Sequence, residues 1–442
     1  MRAGIILVLL ILVSSAVSQT KNDKSEVDAK SFELYVAGKW DSLTIYCEDA
    51  ISNGVDFYYL RMRAGIGYYE LKKYLSAIPH FERALEFQPG DTIALEYLYY
   101  SYLFTNKTAK LNLLATLLPP SLRQKVHYLE PKFVAGSYVE GGYGINSNYD
   151  DTKTNFGKGG SQTVESQLIR NNSNYFSLNL LHSISERVSL FHGVSGLNIS
   201  RTGQFFNKNK LQEVDLRTQQ WNYYLTGGIY LGANFYTTLT MNLLFVNYEE
   251  LLVLQSGSDF VAQKTSSSQN NYIFGLSLSK ELGNITLGLS NSVSNMNNNN
   301  QRQSSLDVTL YPKSNLNLYL VSNFILHRNI NTNNYAVERG LLRTKIGFKL
   351  LNKVWAELQY TFGTIVNYSE DNYYIVYNVE DKISNLAGVN LFFLLSDKVE
   401  LLVRYSFYVQ EVPKYTYNSN NILTNFFKEY NHNLIGGLKW TF

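Results

Sequence analysis

The chain has 442 residues, of which 17% are charged, and its 39 Lys and Arg against 36 Asp and Glu give a net charge of +3. This balance argues against a nucleic-acid binder, which would concentrate basic residues on one face. A single cysteine excludes an intramolecular disulfide framework and a cysteine-based structural zinc site. No apolar run after residue 20 reaches the ~18 residues that a spanning helix needs. Membrane-spanning strands leave no such run, so the hydropathy pattern does not exclude a membrane protein of the β-barrel class.

The segment 1–18 has the pattern of a secretory signal peptide. Arg2 precedes an apolar run from Ile5 to Val13, and Ala16-Val17-Ser18 offers small residues for cleavage before Gln19. No cysteine follows this cleavage site to accept a lipid. We therefore expect export from the cytoplasm without a lipid anchor.

Residues 24–125 show helical spacing of apolar residues and a weak internal repeat. The clearest copy spans Tyr58–Asp91, a second copy directly precedes it, and a degenerate third copy begins at Thr92. Its small, aromatic and proline positions are Gly65, Tyr68, Ala77, Phe81, Ala84 and Pro89. This spacing resembles the 34-residue tetratricopeptide (TPR) motif. The resemblance implies stacked helix pairs with a concave surface that binds a protein partner.

Arg61 and Arg63 are the candidate docking residues of this helical unit. Arg61 stands where the TPR motif normally has a packing tryptophan, and a charged side chain is costly to bury there. We therefore expect both side chains to be available to a periplasmic or outer-membrane protein. The alternative is that residues 24–125 act only as a spacer or plug. Cys47 is expected to be buried between helices rather than reactive.

After Pro131 the apolar period changes from 3.6 to 2, as in Trp221–Leu231 and Val399–Phe407. Residues 132–442 are therefore predicted to form an antiparallel outer-membrane β-barrel of about fourteen strands, with twelve or sixteen as alternatives. The predicted connections alternate between short and long, and barrels of this class keep short turns in the periplasm and long loops outside. The long connections include 144–172, 201–215, 249–268, 368–381 and 411–429. This topology places the helical unit in the periplasm of a Gram-negative bacterium.

The alternation also assigns each side chain to a face of the predicted barrel. Leu243, Leu318 and Val403 are expected to contact lipid, while Asn242 and Asn317 point inward. Charged residues with inward parity either pair across the lumen or line an aqueous pore. They are Glu140, Asp307, Arg343, Lys345, Lys349, Glu357, Glu400, Arg404 and Lys439.

The end of the chain resembles the C-terminal signal that the barrel assembly machinery recognises. Gly437, Trp440 and the terminal Phe442 stand where that signal has a glycine and two aromatic residues, whereas Ile435 replaces a usual polar residue. The resemblance implies that the assembly machinery is a partner of this chain.

The sequence carries no strong catalytic constellation, such as a nucleophile elbow or an HExxH motif. His182 and His192 share a hairpin with Ser183 and Ser195, which faintly resembles the serine–histidine pair of outer-membrane phospholipases. Their parity places the histidines and these serines on opposite faces. The Asp150-Asp151 pair offers carboxylates to calcium, although paired loop acids are usually hydrated. No catalytic residue, metal or cofactor is therefore predicted.

Together, the signal peptide, helical repeats and barrel resemble small TPR-plus-barrel outer-membrane families and, more distantly, polysaccharide-export porins. The first hypothesis is a subunit of a secretion, assembly or transport complex that docks a protein through its TPR unit. The second is a channel for a glycan or a small solute, and the third is a barrel enzyme that acts on lipid. Outer-membrane lipid is an expected partner and nucleic acid is not.

Overall fold

The computed structural model describes residues 23–158, 163–257, 259–418 and 421–442, so the predicted signal peptide lies outside the described residues. The chain forms two compact units, of which the first ends at Tyr128 and the second begins at Leu129. Within these described ranges, no helix is both long enough and apolar enough to cross a membrane.

The first unit consists of helices whose starts repeat along the chain. Helices α1, α3 and α5 begin at Lys24, Tyr58 and Thr92, which are evenly spaced. Asp23 and Asp91 cap α1 and α5 by accepting hydrogen bonds from backbone N–H groups of the first turn. The helices are α1 (Lys24–Val36), α2 (Trp40–Ser52), α3 (Tyr58–Glu70), α4 (Tyr74–Phe87), α5 (Thr92–Phe104), α6 (Thr108–Leu117) and α7 (Pro120–Lys125).

The core of this unit explains several of the repeated residue types. A Cβ atom on Gly65 would lie 2.7 Å from the ring of Phe81, so only glycine lets α3 and α4 approach this closely. Cys47 is fully buried among apolar side chains, and this burial raises the pKa of its thiol to about 12. The thiol is therefore protonated and unreactive at neutral pH.

Glu48 on α2 connects two other helices, since its Oε1 atom lies 3.0 Å from His80 Nε2 and accepts a hydrogen bond from Tyr68 Oη. The hydrogen bond with His80 holds the pKa of Glu48 below its ordinary value. The ionised carboxylate therefore stabilises the fold above pH ~4.3, the pKa of an unfolded glutamate, and this contribution is lost as the pH falls through the lowered pKa.

Glu48→Gln is expected to lower the melting temperature of the helical unit at pH 7 and to have a smaller effect at pH 3. The amide cannot supply the charge that His80 and Tyr68 contact, whereas the contribution of the wild-type carboxylate declines as the pH falls below ~4.3 toward its lowered pKa. Melting followed at 222 nm on the detergent-solubilised full chain measures this. Glu70→Gln, an exposed site on α3, is the control. An equal effect of Glu48→Gln at both pH values would contradict the assignment.

The second unit is a closed antiparallel barrel of fourteen strands within the described ranges, as the sequence predicted. Neighbouring strands along the chain pair with each other, and β1 closes the barrel by pairing with β16. The wall strands are β1 (Val134–Asn146), β2 (Val164–Ser183), β3 (Val188–Asn207), β4 (Lys210–Gly232), β5 (Phe235–Ser256), β6 (Asp259–Leu282), β7 (Ile285–Ser294), β8 (Asn300–Leu310), β9 (Leu318–Ile330), β10 (Ala336–Leu351), β11 (Val354–Phe362), β14 (Lys382–Leu394), β15 (Val399–Asn418) and β16 (Asn421–Thr441). A small hairpin, β12 (Tyr368–Glu370) and β13 (Ile375–Tyr377), lies between β11 and β14, and a short helix, α8 (Tyr149–Thr154), lies between β1 and β2.

The strands are longer at one end of the barrel than the sequence pattern predicted. The chain enters and leaves at what we call the terminal end, where the connections are short, as at Ala233-Asn234. At the opposite, far end, the connections 201–215, 249–268 and 411–429 were predicted as loops, but most of their residues continue the strands. The Thr265–Gln269 stretch of β6, for instance, is wholly polar and has no apolar face, so the pattern gave no strand signal there.

The β15–β16 hairpin bends over the far mouth of the barrel. Beyond Glu411, the last residue of β15 that pairs with β14, the free edge of β15 pairs with β2 at Lys414–Tyr417. A 2.9 Å ion pair between Lys414 and Glu165 and a hydrogen bond between Tyr417 and Ser166 fix this contact. We call residues 411–429 the mouth hairpin.

The two faces of the wall differ as expected for alternating strands. Leu276 on β6 and Leu326 on β9 point outward and are 52% and 72% exposed. Asn242 points inward and is fully buried, and Arg404 lies on the same inner face, 3.6 Å from Glu140. Leu243 and Val403 have the opposite parity and lie on the outer face. Asn317 lies just before β9, outside the strand.

Candidate functional site

Residues 363–381, which we call the lumen loop, fold into the barrel. The predicted connection 368–381 was expected to be an external loop, and this expectation is wrong. The wall strand β11 ends at Phe362, and Gly363 turns the chain with a φ of +105°. A Cβ atom on Gly363 would lie 2.8 Å from the carbonyl oxygen of Gly340, so this turn requires glycine.

Hydrogen bonds tie the lumen loop to strands around the barrel. Asn242 on β5 donates to the carbonyl oxygen of Tyr373 over 2.9 Å, and Tyr224 on β4 donates to that of Asn372 over 3.0 Å. Gln303 on β8 donates to the carbonyl oxygen of Ser369 over 2.9 Å. The loop therefore crosses the lumen rather than lining one side of it.

A buried ion-pair cluster fixes the tip of the loop. Arg343 on β10 is 5% exposed, and its guanidinium lies 3.1 Å from Glu370 Oε2 and 2.8 Å from Asp371 Oδ1. Burial opposes ionisation of Asp371, but Arg343 and Lys345 outweigh it and hold the pKa of this carboxyl below its ordinary value. Removal of one partner from a buried pair leaves the other uncompensated, which costs about 3–5 kcal/mol.

The backbone of the tip is strained, and the barrel wall holds it. Asp371, Asn372 and Tyr373 all have positive φ values of 52–66°, which non-glycine residues rarely adopt. The Tyr373 ring occupies the space above Gly275 on β6, where a Cβ atom would lie 2.0 Å from the ring. Such strain persists only where the surrounding structure determines the conformation. The tip is therefore seated in a socket whose shape depends on Gly275.

Two apolar clusters anchor the loop, one at its tip and one near the positions where it leaves and rejoins the wall. Tyr373 packs against Leu244, Val246, Ile273 and Met296. On the other side, Ile365 and Tyr368 pack with residues of β9, β10, β14 and β15, namely Ile325, Leu341, Ile383, Leu386 and Tyr408. Both clusters lie inside the wall, where a water-filled pore would instead have polar side chains.

Between the lumen loop and the mouth hairpin lies a cavity of about 560 Å³, which we call the chamber. Residues 374–381 of the lumen loop form part of its surface, and Pro413, Tyr415 and Tyr417 of the mouth hairpin form another part. Polar side chains of β2, β3, β4 and β16 complete the lining. Its aromatic surface includes Tyr248, Tyr374, Tyr377 and Tyr408.

The chamber is lined by charges of both signs. Arg170 and Arg201 are directly opposite each other on β2 and β3. Glu380 and Asp381 lie at the end of the lumen loop, and burial raises the pKa of both carboxyls. None of these residues was among the predicted site residues. Arg170 and Arg201 could have been found as charged residues of inward parity. They were missed because the alternation predicted only part of the strands that carry them.

Most of the predicted lumen charges are paired. Arg404 lies 3.6 Å from Glu140, which also accepts a hydrogen bond from Tyr374 of the lumen loop over 3.1 Å. Lys345 lies 3.3 Å from Glu357, and Asp307 accepts hydrogen bonds from Asn323 and Ser290. Lys349 stacks over the Trp355 ring, and Glu400 and Lys439 lie opposite each other on β15 and β16. Pairing along the wall and with the lumen loop therefore describes these charges better than an open charged pore.

The two predicted docking arginines are held within the helical unit. Arg61 Nε lies 2.6 Å from Asp56 Oδ1, and Arg63 Nη1 lies 2.7 Å from Asp28 Oδ1 on α1. Both side chains are largely buried. Charge reversal at Arg61 would therefore break an internal ion pair, so it would not isolate an effect on docking. The docking role of Arg61 and Arg63 stays a prediction.

The described residues do not assemble the serine–histidine pair or a calcium site. His182 Nε2 lies 3.0 Å from His192 Nε2 with the rings stacked, so the two histidines contact each other rather than Ser183 or Ser195. Asp150 and Asp151 are in the first turn of α8. In the part of the chain that the structure describes, no group of three or more His, Cys, Asp or Glu residues is placed to hold a metal.

The C-terminal residues show a structural reason for part of their pattern. Trp440 and Phe442 are exposed on the outer face, with ring centroids 6.1 Å apart. Gly437 is buried on the inner face, and a Cβ atom there would lie 2.8 Å from the Tyr138 hydroxyl. Recognition of these residues by the assembly machinery stays a prediction.

No model of a known protein family matches this chain, and a comparison with curated proteins finds no relative. The assignment of the helical unit to the TPR family is therefore not supported, although its helix starts repeat at the spacing of that motif. Solved structures that resemble the chain include a FadL homologue from Pseudomonas aeruginosa, with 10% identity, a TM-score of 0.43, and coverage of 70% of this chain and 90% of the other. The Pseudomonas putida toluene transporter TodX has 8% identity, a TM-score of 0.46, and coverage of 74% and 94%. A bacterial polysaccharide outer-membrane secretin has 9% identity, a TM-score of 0.36, and coverage of 70% and 99%.

Proposed function

We propose that this protein is an outer-membrane channel for small polar solutes, in which the lumen loop controls passage. The observation that carries the proposal is the chamber inside a closed barrel, which has charged, amide and hydroxyl side chains in its lining and the loop that crosses the lumen on one side. Barrels of this size lie between those filled by side chains and those with an open channel. In this barrel, a segment of the chain itself narrows the passage.

The outer face of the barrel supports the membrane location. Its wall strands expose leucine and phenylalanine side chains such as Leu239, Leu276, Leu289 and Phe324, which a soluble protein would seldom leave as a continuous belt. The short connections at the terminal end favour a periplasmic orientation of that end. The helical unit precedes β1, so the same orientation assigns it to the periplasm.

Conductance of the purified full chain in planar lipid bilayers tests this function. We expect small, discrete current steps from the wild type, because the loop occupies much of the lumen. Liposome swelling with sugars of increasing size would then give the cutoff of the passage. Current steps missing from both the wild type and a variant without the β12–β13 hairpin would overturn the channel.

A second candidate function is docking of a periplasmic or outer-membrane protein by the helical unit. Tyr59 and Ile93 occupy equivalent positions, each the second residue of its helix (α3 and α5), and are 61% and 54% exposed. Exposed apolar side chains on successive repeats are typical of a binding surface. Co-purification from solubilised outer membranes, compared between the wild type and a Tyr59→Ser/Ile93→Ser variant, tests this function. The same partners in equal amounts with both proteins would overturn it.

A further inference from the structure

Two arginines lie side by side in the lining of the chamber. Arg170 and Arg201 are paired residues of the β2–β3 ladder, and both line the chamber. Like charges directly opposite on neighbouring strands destabilise a sheet. Two adjacent guanidinium groups inside a barrel are stabilised when a negatively charged group lies beside them.

The two guanidinium groups differ in what they contact. Arg170 donates to Ser173 Oγ over 2.7 Å, to Asn433 Oδ1 over 3.2 Å and to the Tyr408 hydroxyl, which fixes its orientation. Its Nε atom has no hydrogen-bond partner among the described residues. In the same described ranges, the Arg201 guanidinium contacts no acceptor or carboxylate, and the acids Glu429, Asp381 and Glu250 act on it only at a distance.

The nearby acids do not neutralise this pair by contact. Glu429 Oε1 accepts a hydrogen bond from the backbone N–H of Arg170 over 2.7 Å. Asp381 accepts a hydrogen bond from Gln410 over 3.0 Å. The chamber therefore contains carboxylates as well as arginines, but among the described residues none of these acids forms an ion pair with the Arg201 guanidinium, which keeps free donors. Guanidinium donors match carboxylate oxygens in bidentate geometry.

We propose that Arg170 and Arg201 bind the carboxylate of a small solute inside the chamber. This inference rests on the proposed channel function only for its physiological meaning, since binding itself needs no conduction. Arg170, held by Ser173, Asn433 and Tyr408, supplies a fixed positive charge, and the guanidinium group of Arg201 supplies the free donors. The acids on the lumen loop, Glu380 and Asp381, disfavour solutes that carry several negative charges close together. Small monocarboxylates and dicarboxylates with separated charges are therefore the expected ligands.

Calorimetric titration of the full chain in detergent tests the site, with succinate, its neutral isostere succinamide, and inorganic phosphate as probes. We expect saturable binding of succinate, none of succinamide, and weaker binding of phosphate. Arg201→Gln should weaken succinate binding at least tenfold, and Arg201→Lys should keep part of it, since charge remains but the fork does not. Arg217→Gln, an exposed arginine on the neighbouring strand β4, is the matched control and should bind like the wild type.

Heat-modifiable mobility on gels checks that each variant still forms the barrel. Equal succinate affinity of folded Arg201→Gln and wild type would overturn the site, as would tighter binding of phosphate than of succinate. Equal binding of succinate and succinamide would also overturn it, because the charge would then play no part. Succinate binding by a protein that passes no current would refute the channel function but not the carboxylate site. Current without succinate binding would refute the carboxylate site but not the channel function.

Discussion

Replacement of the β12–β13 hairpin, residues 368–377, with a short Gly-Ser linker is expected to raise the single-channel conductance severalfold. The hairpin carries the groups that cross the lumen, including Glu370, Asp371 and Tyr373. The variant keeps Ile365, whose bridge to Ile383 joins the loop to the wall. The wall should therefore still close, and conductance in planar bilayers measures the change.

A point substitution tests the contact between the loop tip and the wall with less disturbance. Gly275→Val places side-chain atoms where the Tyr373 ring lies, so the tip of the loop should leave its socket and the conductance should rise. Gly340→Val is the matched control, because a Cβ atom on Gly340 meets no atom within 4 Å. Unchanged conductance in both the linker variant and Gly275→Val, with the barrel folded, would show that the loop does not limit passage.

Leu276→Arg is expected to destabilise the barrel by about 2–4 kcal/mol, the cost of an arginine that faces lipid near the membrane centre. Leu276 is 52% exposed on the outer face of β6, and the adjacent Ser277 faces the lumen. Ser277→Arg should therefore have a much smaller effect. Urea titrations in lipid vesicles, read as the fraction with folded mobility on gels, measure both.

The two variants differ by one position on the same strand, so the comparison removes effects of strand propensity and depth. Similar losses of stability for both would mean that the outer face does not contact lipid at this depth. A larger loss for Ser277→Arg would mean that the register of β6 is shifted by one residue.

The inward position of the lumen loop could not be predicted from the local sequence pattern. The residues around Tyr373 predict a polar loop, because a run such as Asp371-Asn372 normally indicates a solvated turn. Its position depends instead on Gly275, on a strand far away in sequence, and on Arg343 of β10. Arg343 and Lys345 were predicted as inward charges, and their partners Glu370 and Asp371 belong to a loop that was predicted to lie outside.

The sequence by itself indicated a barrel of about fourteen strands, the side-chain faces and the helical repeat spacing, because these depend on the strand period, the helix period and the repeat length, all of which are visible locally along the chain. Only the tertiary structure decided the lengths of the strands at the far end, the path of the lumen loop and the chamber that it bounds. Parts of the far-end strands, such as Thr265–Gln269, have no apolar face, so backbone pairing rather than hydrophobic alternation forms them. The loop folds inward because a glycine socket, an arginine and two apolar clusters from distant strands meet it there. Contacts of that kind exist only once the barrel has closed.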